Sequence, residues 1–528
     1  MRVQLTQTQL ILLTGLFLTL FYNFTFFSES YKQFHNIAFL IAQGILLFIV
    51  ITTLLLIISN RFIIKPLLII IFLLSSLAAY YMNQYKVIID YKMIQNIFET
   101  DKREVHDLIN LKVIFCFILL GILPSILLMF IKIKKRPIKS EIISRIKILA
   151  IFLILIPILY FSFSKYWVSF FRTHKHLRMY TNPTFYIYSF FKYLDKIYFT
   201  KPIRFKHIGL DAHLQNKGKP KLIIFVLGEA AREDHFSLNG YKRDTNPQLS
   251  QTQNITSFTN MYSCATATAT SVPCMFSIYT KDQYNDTLAK NTDNVIDILN
   301  RAGVNVIWLD NDSGSKGVAN RIKNYIDFSG AKNPKYCQKS GCIDQILLDN
   351  LPKYFNKIKN NNPVFIVLHT KGSHGPAYYK RYPKEFEKFK PVCKTNQLQK
   401  CKKEEVVNAY DNTILYTDYF LKQTINFLKK HQNKYQVAMI YVADHGESLG
   451  ENGIYLHGLP YFIAPDAQKH PATITWFSKE FDINQTCVNN LKAKTFSHDN
   501  LFSTILGLMD VKTKVYNPKL DMFYKCKK

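Results

Sequence analysis

Leu222-Ile-Ile-Phe-Val-Leu-Gly-Glu229 and Val437-Ala-Met-Ile-Tyr-Val-Ala-Asp-His445 are two apolar runs, each followed at once by a carboxylate. Runs this short and continuous, rich in β-branched residues and lacking polar alternation, predict strands buried on both faces. Similar runs occur at 304–309, 364–368 and 472–477. Helical patterns lie between them, at 292–302, 343–359 and 404–431. Strands alternating with helices predict an α/β domain built on a mainly parallel sheet. Ligands in such sheets gather beyond the carboxyl ends of the strands. Glu229, His369, Asp444 and His445 all fall just past predicted strands.

The first third of the chain is different. Five apolar runs, at 9–27, 37–59, 63–82, 113–131 and 148–167, reach the roughly 20 residues that a bilayer requires. The first has no small-residue cleavage site and reads as an uncleaved anchor. The loop 132–147 and the turn containing Arg61 and Lys65 are basic, and both lie on the cytoplasmic side if the N-terminus does. Five crossings then put everything after Trp167 outside the inner membrane. The expected organisation is a five-helix transmembrane domain at 1–167, an interfacial linker at 168–220 and a periplasmic catalytic domain at 221–528. The linker mixes aromatic and basic residues, as suits a headgroup layer.

Cysteine placement leads to the same topology by a separate route. Of nine cysteines, Cys116 stands alone in an apolar run and eight follow the last span. An even set predicts disulfides in an oxidising compartment, and no Cys-x-x-Cys supports a zinc ribbon. Proximity favours Cys264 with Cys274, Cys337 with Cys342, and Cys393 with Cys401. The formal net charge of +30 fits an anionic membrane surface. Lysine enrichment alongside Ile and Asn also has a purely compositional explanation. No RNA-binding signature, zinc-finger spacing or basic-helix heptad is present, so no nucleic-acid partner is expected.

Carboxylates and histidines at strand ends suit a divalent metal. Either Asp444-His445 or Glu229 alone is a weak signal, and a lone Glu there is more often a helix cap; together they make a candidate site. Thr266-Ala-Thr268-Ala-Thr270-Ser-Val-Pro-Cys274 adds hydroxyls just before a proline that marks a helix start. A metal-bound hydroxyl ionises readily and can attack phosphorus. These residues alone leave Thr266, Thr268, Thr270 and Ser271 as alternatives, beside the plainer reading of a polar loop stapled by a disulfide. His374 and His457 are loop histidines that could hold a phosphate or a second metal. Lys316 could neutralise phosphate charge, or be an ordinary turn lysine. Asn96, Thr100 and Glu104 recur at i, i+4, i+8 and would share one helical face, which by itself reads as a solvated face.

The motifs carry a family resemblance over nearly the whole chain. Gly228-Glu-Ala-Ala-Arg232, Ser271-Val-Pro-Cys-Met-Phe-Ser277, His369-Thr-Lys-Gly-Ser-His374-Gly-Pro376 and Asp444-His-Gly-Glu, with His457-Gly458 beyond, occur in that order. Together they resemble the phosphoethanolamine transferases, in particular the lipid A-modifying branch that includes the mobile colistin-resistance enzymes. The resemblance implies a sulfatase/alkaline-phosphatase-like catalytic domain. It makes Thr268 the nucleophile and Glu229, Thr268, Asp444 and His445 the zinc ligands. His374, His457 and Lys316 become substrate or second-metal residues, and Asn96, Thr100 and Glu104 become contacts to the donor lipid. It implies one Zn2+ or two, with Mn2+ the less favoured ion. It further implies phosphatidylethanolamine as donor, lipid A as acceptor, a phospho-threonine intermediate and polymyxin resistance. Ala265 and Thr270 depart from the family's common Gly and Tyr, and the pair Cys487 and Cys526 has no clear counterpart.

Other readings compete. A sulfatase needs Cys or Ser, then x-Pro-x-Arg, but Met275 stands where Arg is required. A glycerophosphate polymerase fits the cysteines poorly. The same chemistry onto a core sugar, glucan or protein remains an alternative, as does a non-catalytic membrane sensor or scaffold.

Overall fold

The computed structural model describes residues 4–99, 108–199, 203–215, 218–338 and 341–528. The chain packs as two compact units. One comprises Met1–Ile94 and Ile109–Phe199; the other comprises Thr200–Lys528 together with the described part of Gln95–Leu108.

The first unit is helical. Its main helices are α1 (Gln7–Phe21), α2 (Phe24–Phe34), α3 (Ile37–Ile58), α4 (Ile64–Tyr85), α5 (Leu111–Phe130) and α6 (Ile138–Ser162). Among the described residues, α3, α4, α5 and α6 are each long and apolar enough to cross a membrane. The bent pair α1 and α2 makes a fifth when counted as one span. The expected single run at 9–27 is therefore broken, with a 59° bend after Tyr22. Asn23 accounts for the break. Its amide donates to Leu18 O and Asn182 O and accepts from the Asn182 N–H, taking up carbonyls near the end of α1. Hydropathy cannot register such a clamp. The run expected at 148–167 also differs: α6 starts at Ile138, and a new helix begins at Ser164. Arg145 on α6 donates to Leu56 O and Ser59 O at the end of α3 and to Gln7 Oε1. This satisfies carbonyls that a helix end leaves open. The helices Ser164–Arg172 and Thr184–Leu194 of the expected linker belong to this unit.

The second unit is built on seven strands: β1 (Lys221–Gly228), β2 (Ile255–Phe258), β3 (Asn305–Asp310), β4 (Tyr325–Asp327), β5 (Val364–His369), β6 (Gln436–Ala443) and β7 (Thr473–Phe477). Their order is β2-β7-β6-β1-β5-β3-β4. The five strands from β6 to β4 are parallel; β7 runs antiparallel to β6, and β2 antiparallel to β7. All eight residues of β1 are buried, consistent with its central place and its lack of alternation. Two apolar clusters cover the two faces, one including Phe225, Trp308 and Phe365, the other Ile224, Ile366 and Met439. The long helix Lys403–Lys429 packs Val406, Tyr410, Ile414 and Leu421 into the second cluster. The five sequence-expected strands and three helices are present with ends shifted by a few residues. The short strands β2 and β4 were not anticipated. Four disulfides join Cys264–Cys274, Cys337–Cys342, Cys393–Cys401 and Cys487–Cys526.

Candidate metal and phosphoryl-transfer site

The parallel strands bring their carboxyl ends to one edge. Glu229 follows β1 and Asp444-His445 follows β6, and these neighbouring strands register Ala443 against Gly228. A Cβ at Gly228 would lie 2.5 Å from the buried Tyr441 ring, so any larger residue there would have to displace that ring. Ala230, next after Glu229, sits in the left-handed region at φ 54°, a conformation costing about 1–2 kcal/mol. Its N–H donates to Asp444 Oδ1 and its carbonyl accepts from the Tyr410 hydroxyl, so packing holds it there. Thr268 is the first residue of a short helix, α7 (Thr268–Met275). It therefore lies where backbone N–H groups and the helix dipole favour negative charge.

Thr268, Glu229, Asp444 and His445 converge. The Thr268 hydroxyl donates to Glu229 Oε2 at 3.0 Å and lies 3.4 Å from His445 Nε2. His445 Nε2 is 3.3 Å from both Glu229 Oε1 and Asp444 Oδ2. The His445 Nδ1–H donates to Gly446 O at 2.8 Å, which fixes the tautomer and turns the Nε2 lone pair into the cluster. Burial, with His457 nearby, pushes the His445 imidazole down to about 3, so it is neutral at physiological pH. Burial raises the Asp444 carboxyl. Asp444 Oδ1 accepts the Ala230 and His445 N–H groups, while its buried Oδ2 has no hydrogen-bond partner among the described residues. Two carboxylates, a hydroxyl and an unprotonated imidazole in one fully buried place form a donor set that fits a divalent cation. Glu229, His445 and His457 also offer ligand atoms all within 4.8 Å of one another.

The four sequence-candidate hydroxyls differ in their surroundings. Thr266 Oγ1 donates to Leu459 O and Ser271 Oγ to Asp444 O. Thr270 is buried in α7. Thr268 is the one directed at a carboxylate and an imidazole.

His457 and His374 lie beside the cluster. The His457 ring is 4.3 Å from that of His445 and 5.4 Å from that of His374. Glu447 accepts from His457 Nδ1 at 2.7 Å and from the Tyr378 hydroxyl at 2.6 Å. Burial pushes His374 well below the usual histidine range, and its Nδ1 has no hydrogen-bond partner among the described residues. Lys316 adds positive charge beside the buried Asp312. It lines a cleft of about 410 Å³ with Glu99, Lys290 and Arg321, and its ammonium donates to Ser313 O. Asn96 is half-buried in the helix Tyr91–Glu99, and Thr100 and Glu104 lie outside the described residues.

Further contributors are not among the site residues expected from the sequence. Asp312 is fully buried; burial opposes its ionisation, but Lys371 and His369 hold it well below the carboxylate range. Arg232 forks onto Asp234 and also reaches Glu447 O and Glu451 Oε1, tying the segment after β1 to the Asp444 loop. His498 accepts the Cys264 N–H and donates to Ala443 O, joining the Thr268 loop to the end of β6. Arg232 and Glu447 sit inside the motifs, where their spacing offered a hint. His498 is a lone loop histidine with none.

Residues 221–511 match the Sulfatase family model, and residues 47–198 match the model for Phosphoethanolamine transferase EptA/EptB. The chain is 40% identical over 519 residues to phosphatidylethanolamine transferase Mcr-1 of Escherichia coli, covering 94% of each. It is 37% identical over 533 residues to phosphoethanolamine transferase EptA of Escherichia coli (strain K12), covering 98% of this chain and 96% of that protein. The solved structure of the integral membrane protein lipooligosaccharide phosphoethanolamine transferase A (EptA) from Neisseria meningitidis superposes with a TM-score of 0.96 at 32% identity, covering all of both chains. The apolar helices and this membrane-protein likeness make the protein a multi-pass membrane protein. A helical membrane region, a sulfatase-like sheet carrying the Glu229–Thr268–Asp444–His445 cluster, and full-length relatives of one kind lead to a single assignment: the chain belongs to the phosphoethanolamine transferase family.

Proposed function

We propose that the protein moves phosphoethanolamine from phosphatidylethanolamine to a phosphate of lipid A, through a covalent intermediate on Thr268. The observation that carries this reading is the Thr268 hydroxyl held between Glu229 and His445 at the start of α7. Glu229, Thr268, Asp444 and His445 would hold a Zn2+ ion, with His374 and His457 available to a second. Such an ion supplies Lewis-acid stabilisation of phosphoryl oxygens and eases ionisation of an alcohol. Mn2+ is the less favoured occupant.

In the first half-reaction Thr268 Oγ1 forms a bond to the donor phosphorus, and the bond from phosphorus to the diacylglycerol oxygen breaks. Glu229 Oε2, already accepting the hydroxyl's hydrogen bond, is placed to take its proton. His457, held through Nδ1 by Glu447, lies beside the cluster as a second-metal or phosphoryl contact. His374 and Lys316 would bind phosphoryl oxygens, and Asn96, Thr100 and Glu104 would contact the donor lipid. In the second half-reaction an acceptor phosphate oxygen attacks the same phosphorus, and Thr268 Oγ1 leaves and regains a proton. On this reading the catalytic unit would face the periplasm and the apolar helices would cross the inner membrane.

Lipid mass spectrometry of cells making wild type or Thr268→Ala tests the reading. Phosphoethanolamine on lipid A with wild type and none with the variant is expected, along with a phosphoethanolamine adduct on the wild-type Thr268 peptide. Equal modification in both strains would remove Thr268 as nucleophile.

A further inference from the structure

Where α1 begins, the helix ends of the first unit are tied together through their backbones. Lys132–Ile133 pairs with Gln4–Leu5 as a short parallel ladder, and the Lys134 N–H donates to Leu5 O at 2.8 Å. The Lys65 ammonium, at the start of α4, donates to Met129 O near the end of α5 at 3.1 Å. The segment that follows α5 is therefore seated against the start of α1.

This end of the unit carries positive charge that it does not neutralise. Lys132, Lys134, Lys135, Arg136 and Lys139 crowd one segment, and Arg61 and Lys65 stand at the turn from α3 to α4. Residues 1–8, 56–66 and 129–147 contain one carboxylate, Glu141. That carboxylate is already engaged: it accepts the Thr8 N–H at 2.9 Å and the Thr8 hydroxyl at 2.7 Å, and lies 4.0 Å from Arg145 Nε. Among the described residues, none of the cations on the segment or the turn is paired with a carboxylate.

Apolar side chains interrupt these charges. Phe130 is exposed just before the segment, and Ile138, 79% exposed, lies between Arg136 and Lys139. Phe62 is 73% exposed and has the Arg61 guanidinium 4.5 Å from its ring centroid. Phosphate oxygens satisfy ammonium and guanidinium donors through charge-assisted bonds. Exposed Phe and Ile beside basic residues call for hydrocarbon as well. A polynucleotide supplies the phosphate without the hydrocarbon. A phospholipid of net negative charge supplies both, whereas a zwitterionic one brings an ammonium that the lysines repel.

We propose that this collar binds an anionic phospholipid of the surrounding leaflet, with a headgroup of the phosphatidylglycerol type. Its phosphate is the counter-charge for Lys132, Lys134 and Lys135, and its acyl chains lie with the exposed apolar side chains. The inference is independent of the transferase reading, and this lipid is a bound partner distinct from the zwitterionic donor.

The test titrates the full chain, delipidated in detergent, with phosphatidylglycerol or phosphatidylethanolamine of matched acyl chains, and counts bound lipid by native mass spectrometry. Wild type is expected to bind phosphatidylglycerol about tenfold more tightly or better. Each basic residue at a membrane surface is worth about fivefold in affinity. Lys132→Gln, Lys134→Gln and Lys135→Gln combined should therefore weaken phosphatidylglycerol binding by about 100-fold and change phosphatidylethanolamine binding less than about twofold. Arginine at the same positions should keep the anionic lipid. Glutamine at Lys353, Lys357 and Lys359, exposed on the second unit, removes the same charge and should leave lipid binding as in wild type. Equal wild-type affinity for the two lipids, or an equal loss from the two glutamine variants, overturns the proposal. An oligonucleotide that binds wild type more tightly than phosphatidylglycerol, and is lost in the collar variant, overturns it in favour of nucleic acid. The wild-type comparison needs no variant, so it decides the matter even where the collar variant fails to fold.

Discussion

Replacing His498 by leucine should loosen the Thr268 loop and alter the acid sensitivity of the catalytic unit. His498 is 1% exposed. Its Nδ1 accepts the Cys264 N–H at 3.1 Å and lies 3.3 Å from Ser271 Oγ, and its Nε2–H donates to Ala443 O at 3.2 Å. Leucine leaves a buried N–H and a buried carbonyl without partners, at about 1–3 kcal/mol each, so a destabilisation of about 2–6 kcal/mol is expected. The pH effect has a definite sign. Burial pushes the His498 imidazole from the usual 6.5 down to about 3. Below pH 6.5 the unfolded chain binds a proton that the folded chain refuses. This contribution is therefore intact above pH 6.5 and is lost as pH falls towards 3, at up to about 1.4 kcal/mol per pH unit. His445 and His374 add slopes of the same sign, but both forms of the protein share them, so the difference isolates His498. Guanidinium unfolding between pH 7 and 4, followed by the fluorescence of Trp308 and Trp476 in this unit, measures it. The leucine variant should start less stable and fall more shallowly with acid than wild type. His498→Asn, which keeps an acceptor near the Nδ1 position, should recover part of the loss. Parallel pH slopes for wild type and His498→Leu, or a destabilisation under about 0.5 kcal/mol, would refute the reasoning.

The two outer disulfides of the catalytic unit should separate stability from activity. Cys264–Cys274 spans 10 residues and Cys487–Cys526 spans 39, so loop-closure entropy gives about 3 and about 4 kcal/mol respectively. Removing the longer bridge should lower the denaturant midpoint more yet spare turnover, whereas removing the shorter one should cut turnover by about tenfold or more by freeing Thr268; the opposite ranking would contradict this placement. In Gly446→Ala a Cβ would stand 2.0 Å from Ala467 O, so the backbone carrying Asp444 and His445 must shift. Affinity for a divalent ion, measured by chelator competition, should weaken by about 10- to 100-fold, and unchanged affinity would contradict a ligand-positioning role for this loop.

Much of this architecture is legible in the sequence. Continuous Val- and Ile-rich runs read as buried parallel strands because no exposed face imposes alternation, and β1, β3, β5 and β6 are those runs. Carboxylates at their ends marked the edge where a site would form. Hydropathy located the apolar helices, but it did not register the bend at Asn23, because one side-chain amide bonding Leu18 O and Asn182 O changes no average.

What the sequence determined by itself was local: which segments bury both faces, which are apolar enough for a bilayer, and which motifs carry ligand-type residues. Choosing Thr268 from among four neighbouring hydroxyls on physical grounds needed the tertiary structure, because helix phase and the pairing of β1 with β6 decide which oxygen meets Glu229 and His445. The roles of His498 and Arg232 likewise emerge only in three dimensions. Each joins segments more than 200 residues apart, and hydrogen bonds across such separations leave no periodicity for a sequence to display.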